Sequence, residues 1–131
     1  MSKRIVLIGH CGPDSSYLRM AVSRAGRDVK VLAADDAAQL DVILNEGADL
    51  LLFNRVLDYG FDETSGAALI GKVRAKYPNT QCMLVSNYPE AQAEAVAAGA
   101  LPGFGKRDLG SPRVAEMIRD AIATSPAQKS A

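Results

Sequence analysis

Apolar residues fall in short unbroken runs, separated by longer stretches with helical spacing. The runs are Ile5-Val6-Leu7-Ile8, Val29-Lys30-Val31-Leu32, Leu50-Leu51-Leu52-Phe53 and Met83-Leu84-Val85, with a weaker one around Gly103-Phe104-Gly105. A run without alternation suits a strand covered on both faces. Between the runs, Leu40, Ile43 and Leu44 follow Asp35-Asp36 on one helical stripe that Gly47 closes. Ala67, Ile70, Val73 and Tyr77 make another stripe, stopped by Pro78, and an alanine-rich segment runs from Pro89 to Gly99. Ser111 and Pro112 suit the cap and first position of a helix carrying Val114, Met117, Ile118, Ala121 and Ile122. The first helix is expected over 15–25, capped by Asp14 or Gly12 and ended by Gly26. The order βαβαβαβαβα predicts a doubly wound α/β domain, a parallel sheet with helices on both faces. In such sheets the functional crevice lies beyond the carboxyl ends of the strands.

Composition narrows the class. A length of 131 residues fits one domain, expected over 1–124 with a frayed tail at 125–131. Lys+Arg and Asp+Glu are both 15, so the basic surplus of a nucleic-acid binder is missing and no such partner is expected. A hydrophobic fraction of 48% is enough for a packed core. No apolar run approaches the ~18 residues needed to cross a bilayer, so no membrane association is expected. Two cysteines without an export signal imply a reducing, cytoplasmic setting.

Several short pieces, in order, resemble a response-regulator receiver domain over about residues 3–123. They are Arg24-Ala25-Gly26 with Val29, Glu46-Gly47-Ala48-Asp49 leading into Leu50-Leu51-Leu52, Val85-Ser86-Asn87, Ala97-Ala98-Gly99-Ala100, and Phe104-Gly105-Lys106. The resemblance implies a flavodoxin-like (βα)5 sheet of strand order 2-1-3-4-5. It also implies a phosphoacceptor aspartate after strand three, an acidic pair holding Mg²⁺ after strand one, a hydroxyl residue and a lysine. A carboxylate attacks phosphorus in line while the metal and the lysine neutralise the moving oxygens.

Here the phosphoacceptor position is Asn54, which has no anionic nucleophile, and the acid pair reads Gly9 and His10. Ser86 and Lys106 survive, Arg107 replaces the usual proline, and the aromatic switch position falls on Gly103. The loop after Asn54 is a few residues too long. The chain resembles a pseudo-receiver: a stand-alone signalling module, not an enzyme, with no cofactor and no metal, acting through protein partners. The resemblance implies contact through helix four, strand five and helix five, including Ala91, Ala95, Arg113 and Met117, and a homodimer through that face is one form.

Each residue of this degenerate pocket also has a plainer reading. Asn54 is either a hydrogen-bonding mimic reaching Lys106 or Ser86, or simple drift. Lys106 either binds an anion or is solvated. Ser86 either switches or bonds local backbone. His10 is a pocket hydrogen-bonder or a pH-sensitive group, or is satisfied structurally. Gly9 to Ser16, with two glycines and Pro13, offers a small-ligand or anion cradle at a helix start, but Asp14 as N-cap would repel an anion. Cys11 is a reactive thiol or a small half-buried one. Asp58, Asp62 and Glu63 are displaced phosphoacceptors for a phosphorelay, or a solvated acidic loop with Arg55 as partner.

Overall fold

The computed structural model describes residues 2–57 and 59–124; Asp58 and the tail expected at 125–131 lie outside the described residues. The strands are β1 (Lys3–Ile8), β2 (Val29–Ala34), β3 (Leu50–Asn54), β4 (Gln81–Val85) and β5 (Leu101–Phe104). The helices are α1 (Gly12–Ala25), α2 (Ala37–Glu46), α3 (Gly66–Lys76), α4 (Pro89–Ala97) and α5 (Pro112–Thr124), with a short 3₁₀ turn at Lys106–Asp108. The strands form one five-stranded sheet in the order β2-β1-β3-β4-β5, with every pairing parallel. This is the expected flavodoxin-like architecture.

Both faces of the sheet are covered, which is why the strands read as continuous apolar runs. Ile5, Leu7, Leu50, Leu52, Met83 and Val85 pack against Leu18 and Val22 of α1 and Val114 and Ile118 of α5. Their neighbours Val6, Ile8, Leu51, Phe53 and Leu84 point the other way, onto Leu40 and Leu44, Ile70 and Val73, and Ala95 of α4. Period-two alternation of side chains thus feeds two separate cores from one strand. Each such fully buried aliphatic side chain contributes about 1.5–3 kcal/mol.

Three expectations change. First, α1 starts at Gly12 with Cys11 at its N-cap, so Asp14 sits inside the first turn and is not the cap. Pro13 sits in that first turn, where its fixed φ suits the helix and its missing N–H costs nothing. Second, β5 runs from Leu101 to Phe104, starting ahead of the expected Gly103-Phe104-Gly105 stretch and ending before Gly105. Third, Ala95 is fully buried between α4 and its neighbours, so it is absent from the exposed face of α4. Ala91 is partly buried as well, and the exposed positions of that helix include Ala93, Glu94, Val96 and Ala97. Met117 is only partly exposed, while Arg113 is exposed and reaches Asp108 at 3.6 Å.

Candidate functional site: a filled crevice

The crevice beyond β1 and β3 is built from the connections that follow the strands. Gly9 leaves β1 at φ 73, a left-handed conformation that glycine adopts without strain. A Cβ at Gly9 would lie 2.4 Å from Leu57 Cδ2 and 3.9 Å from Asn54 Cβ. Leu57, 2% exposed, therefore rests directly on the bare backbone of Gly9. It is held there by a small antiparallel excursion of the β3–α3 connection. Leu57 N–H donates to Thr64 O at 2.9 Å, Gly66 N–H donates to Arg55 O at 2.8 Å, and Val56 bridges Ser65 between them.

The tip of that excursion docks on the far side of the crevice. Gly60, at φ 82, accepts from Ala37 N–H at 2.7 Å, and a Cβ there would meet Asp35 O at 2.3 Å. Phe61 packs on the α2–α3 core. Asp62 is exposed, as a solvated acidic loop would have it, while Leu57 and Phe61 anchor the segment to the core. Glu63 pairs with Lys72 at 2.5 Å, and this contact holds the Lys72 pKa above its ordinary value. Among the described residues Arg55 makes no ion pair with Asp62 or Glu63, and its guanidinium stacks over the Tyr88 ring at 4.8 Å. That pair lines an open cleft of about 530 Å³ beside the crevice, with Val56, Ser65, Ala91 and Glu94. Asp58 lies outside the described residues.

The polar residues of the crevice are dispersed. Asn54 Nδ2 donates to Val56 O at 2.9 Å and closes its own turn. Its amide is thus spent locally, and the contact with Lys106 or Ser86 does not form. Lys106 is neither an anion trap nor simply solvated: its Nζ is 2.6 Å from Asp14 Oδ2. That hydrogen bond, first among the causes, holds the Asp14 carboxyl below its usual pKa, and a bond from Cys11 adds to it. Ser86 Oγ accepts from Tyr88 N–H at 3.1 Å, the local backbone bond expected of it.

His10 Nε2 lies 2.9 Å from Leu52 O, so Nε2–H donates to the β3 backbone and the neutral ring keeps Nδ1 as an acceptor. Nδ1 is buried with no hydrogen-bond partner among the described residues. Burial, aided by the Lys106 charge, pushes the His10 pKa down; the Leu52 bond and Asp14 oppose this. The Gly9–Ser16 segment is a poor anion cradle, because Asp14 places a carboxylate in the first turn of α1.

No protein-family model matches the chain, and no curated protein matches it. Solved structures do. A response regulator from Thermotoga maritima aligns at TM-score 0.76 and 17% identity, over 94% of this chain and 99% of that one. NtrX from Brucella abortus aligns at TM-score 0.73 and 19% identity, over 94% of this chain and 28% of that one. The beryllofluoride-activated receiver domain dimer of NtrC4 aligns at TM-score 0.71 and 13% identity, over 92% and 96%. The fold is that of a receiver domain.

Within this receiver fold, the position the resemblance gives to the phosphoacceptor carries a neutral amide, and the two metal-acid positions carry Gly9 and His10. Mg²⁺ requires hard oxygen ligands around an open octahedral space. Here the space above Gly9 holds Leu57, and among the described residues no three His, Cys, Asp or Glu side chains come together to hold a metal ion. The residues present do not fit the metal that the fold family implies. Leu57 is the crevice residue that the sequence pattern did not disclose; its signal was the apolar Val56, Leu57 and Phe61 inside a stretch otherwise rich in acids.

Proposed function

We propose that this chain is a phosphorylation-independent signalling module of the receiver fold, not itself an enzyme, which acts in the cytoplasm by protein–protein contact. The observation that carries this reading is Leu57 seated on Gly9 beside Asn54, an apolar side chain where phosphoryl transfer would need a carboxylate, a cation and water. The crevice is already closed by packing, so the state that phosphorylation would otherwise select is replaced by a single built-in one. Free thiols at Cys11 and Cys82 suit a reducing compartment. The test is amide chemical-shift mapping with Mg²⁺, BeF₃⁻ and acetyl phosphate: no shifts around 9–14, 54–57 or 106 are expected, and Mg²⁺-dependent shifts there overturn the reading.

The proposed partner contact runs through the face of α4, β5 and α5, with a second copy of the chain as one form; the NtrC4 receiver domain is likewise a dimer. Glu94, Val96 and Ala97 on α4 and Arg107 and Arg113 beyond β5 are exposed, so this face offers both charge signs around a small apolar strip. Light scattering across concentrations distinguishes a homodimer from a surface kept for another protein.

A further inference from the structure

The edge pairing of the sheet is irregular where α4 lies against it. Met83 aligns with Leu101 and Val85 with Phe104, so Pro102 and Gly103 together oppose Leu84 in a β-bulge. Pro102 has no N–H to give to the ladder. The bond missing from the ladder is supplied by a side chain. Gln92 of α4 reaches the strand pair with its amide: Nε2 donates to Leu84 O at 2.9 Å and to Ser86 O at 3.0 Å, and lies 3.5 Å from Phe104 O. Its Oε1 accepts from Gly103 N–H at 3.1 Å. Only this orientation of the amide satisfies both sides, since the reverse would face an oxygen to three carbonyls and an NH₂ to an N–H.

Two glycines make room for this arrangement. A Cβ at Gly103 would lie 2.1 Å from Leu84 O and 2.9 Å from Gln92 Oε1. A Cβ at Gly105 would lie 1.9 Å from Asn87 Oδ1, which instead accepts from Arg107 N–H at 3.2 Å. The β4–α4 connection is thus tied to β5 by Gln92 and to the turn after β5 by Asn87. Residue 103 is where the receiver resemblance places a rotating aromatic. Here the backbone leaves no space for any side chain at that site.

We infer that Gln92 is a clamp that replaces ladder hydrogen bonds across the bulge, locks α4 to β5 in one arrangement, and removes the movable element of this face. That the locked face is a docking surface rests on the function proposed above; the clamp itself does not. The partner would therefore meet a preset surface, with no conformational equilibrium to shift before contact.

The test is amide hydrogen exchange and relaxation dispersion by NMR on the full chain. The wild type is expected to show a protected Gly103 amide and no microsecond–millisecond exchange across 84–92 and 101–107. Q92A is expected to speed Gly103 exchange at least about ten-fold and to introduce such broadening, while amides of Ile5–Ile8 and Val114–Ile118 stay unchanged. Q92E serves if Q92A folds poorly. Its ionised carboxylate still accepts from Gly103 but faces three carbonyls, so protection in α4 falls at neutral pH and recovers when the acid is protonated. Unchanged Gly103 protection in Q92A, broadening already present in the wild type, or no effect of Q92E overturns the clamp. A BeF₃⁻ response with Gly103 still protected supports the clamp and overturns only the phosphorylation-independent reading.

Discussion

Truncating Leu57 to alanine removes the side chain that fills the crevice. The residue is 2% exposed, so essentially the whole isobutyl group is out of water. Losing three carbons at about 0.8 kcal/mol each forfeits about 2.4 kcal/mol of transfer free energy. The residual cavity adds to this, and buried Leu→Ala changes span about 2–5 kcal/mol. Its floor is Gly9, which has no side chain to move into the gap, so collapse is incomplete. The expected loss is about 3 kcal/mol, or a Tm lower by roughly 12 °C for a domain of this size. Urea unfolding followed by circular dichroism measures it, with an unchanged m-value showing that the unfolded reference is the same. Val56→Ala, at a neighbour 37% exposed, is the control and should cost under about 1 kcal/mol. A loss below about 1 kcal/mol for L57A, equal to the control, would show the segment lying loosely over the crevice and would refute the packing argument.

Three further outcomes are expected. N54D places a carboxylate where an amide donates to Val56 O; it should lose about 1–2 kcal/mol and still gain no phosphoryl mass from acetyl phosphate with Mg²⁺, and an adduct would sink the idea that Leu57 closes the site. His10 has a native pKa below its ordinary 6.5, so below that value the unfolded chain binds more protons and stability falls with pH, by at most about 1.4 kcal/mol per unit. The H10Q variant, with its amide able to donate to Leu52 O, should lack this component; urea midpoints at about pH 7.5 and 5.5 compare the two, and parallel losses would remove His10 as the cause. The Asp14 contribution lies lower, lost only as pH falls below about 3.8, and does not overlap this window. Cys82 is buried, and burial pushes its thiol pKa up to about 12, whereas Cys11 is exposed. One thiol should therefore react promptly with an aromatic disulfide reagent and the second only on unfolding; two prompt thiols contradict the burial.

Most of the architecture is legible in the residues. The apolar runs at Ile5, Leu50 and Met83 mark strands because both sheet faces are covered, and the stripes at Leu40 and Ile70 mark helices for the same reason. Local signals were weakest where tertiary contacts replace them. β5 carries Pro102 and Gly103, which argue against a strand until Gln92 is seen supplying the missing bonds. Ala95 reads as surface in an alanine-rich helix, yet its small size lets it sit in the core. In the crevice, the substitutions at Asn54, Gly9 and His10 are visible in the chain, but what replaces their function is not. Lys106 meets Asp14, and Leu57 meets Gly9, only because the fold brings distant segments together. No periodicity encodes such pairs.

The bulge in β5 also settles how neighbours can approach the sheet. β5 is an outermost strand only four residues long, interrupted by an exposed proline. Such a border offers few free backbone groups for an incoming extended chain, which is how natural sheets discourage end-to-end stacking and fibril growth. Recognition on that flank is left to side chains on helices and turns.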